Sequence, residues 1–140
     1  MTLNEARAIL DGALAQARAR GARPLAVIVL DAGAHPVAFA REDGATFGRI
    51  EIARAKAAGA LAMEADSRVL AQRAKENPSF FQGLPTVFGG GMAFSPGGVL
   101  VHRTGRVVGA VGISGDTGEV DEACALAGMT AAGLGREIAA

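Results

Sequence analysis

The stretch from Gly97 to Gly128, GGVLVHRTGRVVGAVGISGDTGEVDEACALAG, constrains the fold of this chain more than any other segment. It predicts two apolar strands, Val99–Arg103 and Val107–Ser114, which a tight turn at Thr104-Gly105 joins into a hairpin. An apolar helix follows, from about Val120 to Arg136. A hairpin that leads directly into such a helix favours an antiparallel sheet with helices packed on it.

Two glycines, Gly109 and Gly112, lie inside the second of these predicted strands. Glycine weakens a strand, and in that position it usually marks a bulge or the close approach of another backbone or a ligand. We therefore predict that Gly112 belongs to the floor of a ligand pocket or to the seam of an interface.

The first half of the chain predicts a helix followed by a second hairpin. The helix begins at Thr2 and Glu5, which have the spacing of a capping box, and it ends at Gly21. The apolar run LAVIVLD then predicts a central strand that is covered on both faces. A turn at Asp31–His35 leads into the returning strand, Pro36–Arg41.

The middle of the chain predicts two helices and a long loop. One helix carries an apolar face that begins at Phe47, and the other covers Ser67–Glu76. Residues 79–96 are rich in Gly, Pro and Phe, which is typical of a functional loop, with Met92–Phe94 as a short edge strand. The order α-β-β-α-α-β-β-β-α predicts an α/β protein of the α+β class, with residues 1–140 forming one domain.

Composition excludes several classes of function. The 14 basic and 14 acidic residues balance and form no basic run, which argues against a nucleic-acid partner. The single cysteine, Cys124, excludes an internal disulfide and favours a reducing compartment. The N-terminal helix carries acidic residues within its apolar pattern, so we expect neither a signal peptide nor a membrane span, and a cytoplasmic location.

Three segments together resemble the GlcG/HbpS-like family, which also includes the C-terminal domain of PduO proteins. They are VLDAGAHPVAFAREDGA (29–45), EIARAKAAGA (51–60) and the stretch 97–128, in the family's order and over nearly the whole chain. The resemblance implies a profilin-like three-layer domain, with a five-stranded antiparallel sheet flanked by helices. It also implies a homo-oligomer and an association with haem, corrinoids or small catabolic metabolites.

Candidate metal ligands follow from the scarcity of imidazoles. His35 and His102 are the only histidines, so each is a candidate axial ligand for haem iron, although a turn histidine such as His35 is also simply solvent-exposed in many proteins. His35 is also a candidate for proton transfer, together with the carboxylates of Glu42 and Asp121. Acids near the start of the last helix would equally serve its dipole.

Candidate ligand contacts are cations, one carboxylate and an aromatic ring. Lys56 would pair with a ligand carboxylate such as a haem propionate, with Arg41 in a similar role, although a lysine on a helix edge can also be merely solvated. Asp43 is a further polar contact. Phe94, from the Phe-rich segment, would help to wall an apolar pocket for a flat ligand.

These residues leave three functions open. The first is a small-molecule-binding protein that holds haem or a related tetrapyrrole between the sheet, the Phe-rich loop and Lys56. The second is an enzyme acting on a small carboxylated metabolite, in which a cation binds the carboxylate and His35, Glu42 or Asp121 moves the proton. The third is an assembly or regulatory module.

Overall fold

The computed structural model of the protein describes residues 1–136, which form five helices and four strands. Both predicted hairpins and the helix at Ser67–Glu76 are confirmed. The elements are α1 (Leu3–Ala19), β1 (Ala26–Asp31), β2 (Pro36–Arg41), α2 (Gly48–Met63), α3 (Ser67–Glu76), α4 (Pro78–Val87), β3 (Gly98–Arg103), β4 (Arg106–Ser114) and α5 (Gly118–Ala131). None of the helices within residues 1–136 combines the length and the apolar character needed to cross a membrane.

The sheet is antiparallel throughout and has the strand order β2-β1-β4-β3. The central pair, β1 and β4, keeps one register along its whole length, with Val27 opposite Ile113 and Val29 opposite Val111. The β3–β4 turn places both Thr104 (φ 48°) and Gly105 (φ 79°) in the left-handed region, as the commonest two-residue hairpin turn requires.

Helices cover both faces of the sheet, which makes three layers. On one face Val27, Val29 and Ile113 pack among side chains of α1 and α5. On the other face Ile28 and Leu30 pack against the alanines of α2. The prediction that the first strand is central and covered on both sides is therefore confirmed, because alternate residues of β1 enter two different cores.

The predicted five-stranded sheet is wrong for residues 1–136, because the sheet has four strands. The predicted edge strand Met92–Phe94 is irregular, and the Ala93 amide donates to the Ala55 carbonyl of α2 at 3.3 Å instead of to a strand. Met92 packs into a separate apolar cluster with Leu70 and Phe81. The apolar side chains of this segment are thus buried against helices and are not available to extend the sheet.

One helix was not predicted, and the last helix has different bounds from those predicted. The segment predicted as a loop contains α4, which starts with Pro78, a residue well suited to the first turn because that position needs no amide donor. The last helix begins at Gly118, after Thr117 caps the Val120 amide, and ends at Ala131 instead of Arg136. Gly133, with φ 72°, follows that end and turns the chain away from the helix.

A buried ion pair joins three of these elements. The Lys56 ammonium of α2 lies 3.1 Å from the Asp121 carboxylate of α5 and donates to the Ile113 carbonyl of β4 at 2.9 Å. The two side chains are only 4% and 1% exposed. Burial raises the pKa of the Asp121 carboxyl, while the charge of Lys56 and an amide hydrogen bond from Asp116 oppose that rise. The pair therefore has a structural position inside the molecule.

We predict that Lys56→Met lowers the free energy of unfolding by about 3–5 kcal/mol, because it leaves the Asp121 carboxylate buried without a cation. Urea denaturation of Lys56→Met, Asp121→Asn and the double variant would measure this. The double variant should lose clearly less than the sum of the single losses, since it has no unpaired charge. Strictly additive losses would show that the two charges do not stabilise each other.

The backbone of α2 comes very close to β4 at Gly112. A Cβ atom at this position would collide with the backbone carbonyl of Ala53 in α2. We predict that Gly112→Ala costs about 1–3 kcal/mol of stability, because a helix backbone cannot move aside as the end of a side chain can. The matched control is Gly83→Ala in α4, where a Cβ meets nothing and helix propensity should add about 0.5–1 kcal/mol. Equal urea midpoints for the two variants would contradict this account.

Candidate functional site

Two phenylalanines lie on the surface at the β2 edge of the sheet. Phe39 is 62% exposed and Phe47 is 83% exposed. Phe39 is paired with Ile28 of β1, so its ring is on the face of the sheet that α2 covers. Phe47 directly precedes α2 and acts as its N-cap residue without making a side-chain cap. Exposed aromatic rings this close together are typical of a binding surface.

A cavity of about 520 Å³ lies between these rings. We call it the aromatic face, and its lining residues are Phe39, Arg41, Phe47, Ile50 and Glu51. Arg41 follows Phe39 by two positions on β2, so both side chains belong to the same face of the strand. Arg41 forms no ion pair with any residue among 1–136, which leaves its guanidinium available to an anion.

A second cavity, of about 410 Å³, lies on the other side of Arg41 and is lined by Arg18, Glu42 and Asp43 among others. Glu42 accepts a hydrogen bond from the Leu25 amide at 2.8 Å and pairs with Arg18 at 2.9 Å. Its carboxylate therefore clamps the end of α1 to the start of β1. Asp43 is exposed at the rim of this cavity.

His35 lies in the β1–β2 turn, and its side chain is 80% exposed. Its Nδ1 atom is 3.4 Å from a carboxylate oxygen of Asp31. The same oxygen accepts the backbone amides of Gly33 and His35, and these bonds, that of His35 first, lower the pKa of the Asp31 carboxyl. An ionised carboxylate beside Nδ1 orients the imidazole and leaves Nε2 for a ligand.

The other predicted site residues do not gather around His35. His102 is on β3, at the opposite edge of the sheet, and its Nδ1 atom is buried without a hydrogen-bond partner within residues 1–136. Phe94 packs edge-to-face on Phe81, with ring centroids 5.1 Å apart, beside a shallow cavity of about 360 Å³. Gly112 lies beneath α2, and Lys56 and Asp121 form the buried pair described above.

Sequence reasoning missed the aromatic face. It placed Phe47 at the start of the apolar face of α2 and gave Phe39 no role. Alternation on β2 places Phe39 and Arg41 on one face of the strand, but it does not show that this part of the face is left exposed beside α2. Within residues 1–136 no three His, Cys, Asp or Glu side chains come close enough to hold a metal ion together.

Comparisons with known proteins agree with this fold. The family model described as "Haem degrading protein HbpS-like" matches residues 1–130. The crystal structure of HbpS is 30% identical, covers 93% of this chain and 88% of its own, and superposes with a TM-score of 0.82. The crystal structure of a PduOC–haem complex is 25% identical, with 96% of each chain covered and a TM-score of 0.87.

A third structure, the protein ORFY of Klebsiella pneumoniae, is 23% identical and supports the fold alone, with a TM-score of 0.86 over 95% of this chain and 90% of that one. No curated protein matches the chain. The family resemblance predicted from the sequence is confirmed. The family model begins at residue 1 and ends at residue 130, one residue before the end of α5. The chain therefore belongs to the HbpS-like family, whose description is that of a haem-degrading protein.

Proposed function

We propose that this protein binds haem on the aromatic face. The observation that carries the proposal is the pair of exposed rings, Phe39 and Phe47, on either side of a cavity that also holds Arg41. A flat apolar macrocycle laid on these rings would remove them from water, which contributes about 1.5–3 kcal/mol for each large side chain that becomes fully buried. The haem-bound relative, PduOC, supports the same ligand class.

The charge on the aromatic face favours haem over a corrinoid. Haem carries two propionate carboxylates, and the Arg41 guanidinium would pair with one of them through charge-assisted hydrogen bonds. Corrinoids carry mainly amide side chains, which gain less from a cation. Glu51 lines the same cavity and would repel a second carboxylate, so we expect the other propionate to extend toward solvent.

His35 is the histidine that this binding mode would use as an axial ligand. It lies on the same hairpin as the aromatic face, whereas His102 is on β3 at the far edge of the sheet. The Asp31 carboxylate beside Nδ1 would keep the proton on that nitrogen and make Nε2 the better donor to iron. Haem, when bound, would supply an iron centre able to take up electrons or small ligands.

The alternative of a small-metabolite enzyme built on Glu42, Asp121 and Lys56 has less support. Glu42 and Asp121 both accept backbone amide hydrogen bonds, and each pairs with a cation. A carboxylate in that position stabilises the fold and is poorly placed to take a proton from a ligand. We therefore assign ligand binding to the aromatic face and no acid–base role to these residues.

Phe47 tests whether the exposed rings of the aromatic face bind haem. Phe47→Ser should weaken haemin binding at least tenfold in a titration followed by Soret absorbance, because the variant removes one wall of the cavity. The matched control is Phe80→Ser, since Phe80 is also a half-exposed ring, at 52%, but lies on α4 away from the aromatic face. Equal weakening in both variants would indicate non-specific adsorption and would contradict the proposal.

The same variants separate haem binding from self-association. A second copy of the chain could also cover the aromatic face, since the resemblance implies a homo-oligomer. Size-exclusion chromatography with and without haemin would show whether Phe47→Ser changes the assembly, the affinity for haemin, or both. A change of assembly with unchanged affinity would assign the face to an interface between copies.

His35 tests the assignment of the axial iron ligand. His35→Ala should shift the Soret maximum of the haemin complex and remove the spectrum of a nitrogen-ligated iron, because the other imidazole, His102, lies at the opposite edge of the sheet. His102→Ala should leave the spectrum unchanged. Imidazole added to His35→Ala should restore the original spectrum. The reverse pattern, with His102 required and His35 dispensable, would overturn this assignment.

A further inference from the structure

Another cavity lies at the C-terminal end of α2, beside the β3–β4 turn. Its volume is about 520 Å³, and it is unrelated to the aromatic face because β2 and β3 are opposite edges of the sheet. We call it the edge cavity, and its lining residues are Glu64, Leu100, His102, Gly105, Arg106 and Val107. Leu100 and Val107 supply an apolar floor. A carboxylate (Glu64), an imidazole (His102) and a guanidinium (Arg106) surround that floor.

The two charged residues of the edge cavity have no internal partner. Among residues 1–136, neither Glu64 nor Arg106 takes part in an ion pair. The neighbouring Arg103, in contrast, is paired with Glu5. A carboxylate and a guanidinium therefore line one cavity without neutralising each other, so both remain available to a ligand that carries both kinds of group.

His102 adds a hydrogen-bond donor. Its Nδ1 atom is buried and has no hydrogen-bond partner within the described part of the chain, while the residue also lines the edge cavity. A proton on Nδ1 would be buried without an acceptor, at the cost of an unmade hydrogen bond. The tautomer with its proton on Nε2 avoids that cost and offers Nε2–H as a donor to a ligand.

Glu64 occupies a position where the fold would favour another residue. It is the C-cap of α2 and has left-handed backbone angles (φ 50°, ψ 42°), a position that favours glycine or asparagine. Its carboxylate also lies at the negative end of the helix dipole, which disfavours an anion. Neither feature stabilises the helix, so the side chain has no evident structural role there.

We propose that the edge cavity binds a small carboxylic acid that carries a hydroxyl or amino group on the carbon next to the carboxylate. In this arrangement Arg106 pairs with the ligand carboxylate and the Nε2–H of His102 donates to the same group. Glu64 accepts the hydrogen of the hydroxyl or ammonium group. This is a site separate from haem binding, and it differs from the aromatic face by its imidazole, His102, and by the absence of exposed phenylalanine rings from its lining.

Calorimetric titration of the full-length protein with three acids of equal size tests the proposal. Propionate, L-lactate and L-alanine share a three-carbon skeleton and differ only in the group next to the carboxylate. L-lactate or L-alanine should bind about tenfold more tightly than propionate, since only they can use Glu64. Preference for L-alanine would identify an ammonium group as the recognised feature, and preference for L-lactate would identify a hydroxyl group. Equal affinity for all three, or no saturable binding of any, would overturn the proposal.

Two variants and a control assign the contacts. Arg106→Gln should weaken the preferred acid about tenfold, because the charge-assisted bonds to the carboxylate are lost. Glu64→Asn keeps a residue that tolerates left-handed angles and should abolish the preference over propionate. Arg73→Gln removes another exposed arginine, from α3, and should change nothing. If Arg73→Gln weakens binding as much as Arg106→Gln does, the site is not the edge cavity.

Two further measurements connect His102 to this site and separate it from haem. The ¹⁵N chemical shifts of the His102 ring should move on saturation with the preferred acid, and those of His35 should not. Prior loading with haemin should leave the affinity for the acid unchanged. Unmoved His102 shifts at saturation, or competition by haemin, would contradict a separate edge site.

Discussion

The ion pair between Lys56 and Asp121 is the interaction on which the rest of the structure depends. It joins α2 to α5 through the sheet, with Ile113 of β4 as a third contact. A charge buried to this degree is stable only when its partner is held in place, so the pair fixes how α2 lies on the sheet. The chain also has glycines around it: a Cβ on Gly97 would collide with the Lys56 ammonium and one on Gly98 with the Lys56 carbonyl.

Because the middle of α2 is buried in this way, the helix borders the two proposed ligand sites only at its ends. Its N-terminal end borders the aromatic face, and its C-terminal end carries Glu64 and the edge cavity. A helix of 16 residues separates the two by about 24 Å. Valines and alanines pack the three layers together, and both of these cavities lie at the rim of the sheet.

Sequence predictions succeeded for residues whose position depends on the local pattern. They failed for residues whose position depends on packing against distant parts of the chain. The hairpin at Pro36–Arg41 was predictable, because alternation and turn residues act over a few positions. Lys56 was predicted to bind a ligand, although its spacing from Ala53 and Ala60 places it on the buried stripe of α2. Phe47 was predicted to begin the apolar face of α2, yet it precedes the first turn of that helix and is exposed.

The sequence by itself determined the α+β class, the two hairpins and the family, since each depends on motifs whose residues are close together in the chain. Only the tertiary structure decided which strands lie at the edges, that four strands form the sheet, and that Lys56 meets Asp121, 65 residues away. The physical reason is that exposure follows from neighbours in space. Phe39 and His102 are accessible to ligands because β2 and β3 each lack a second neighbouring strand, which no local pattern records.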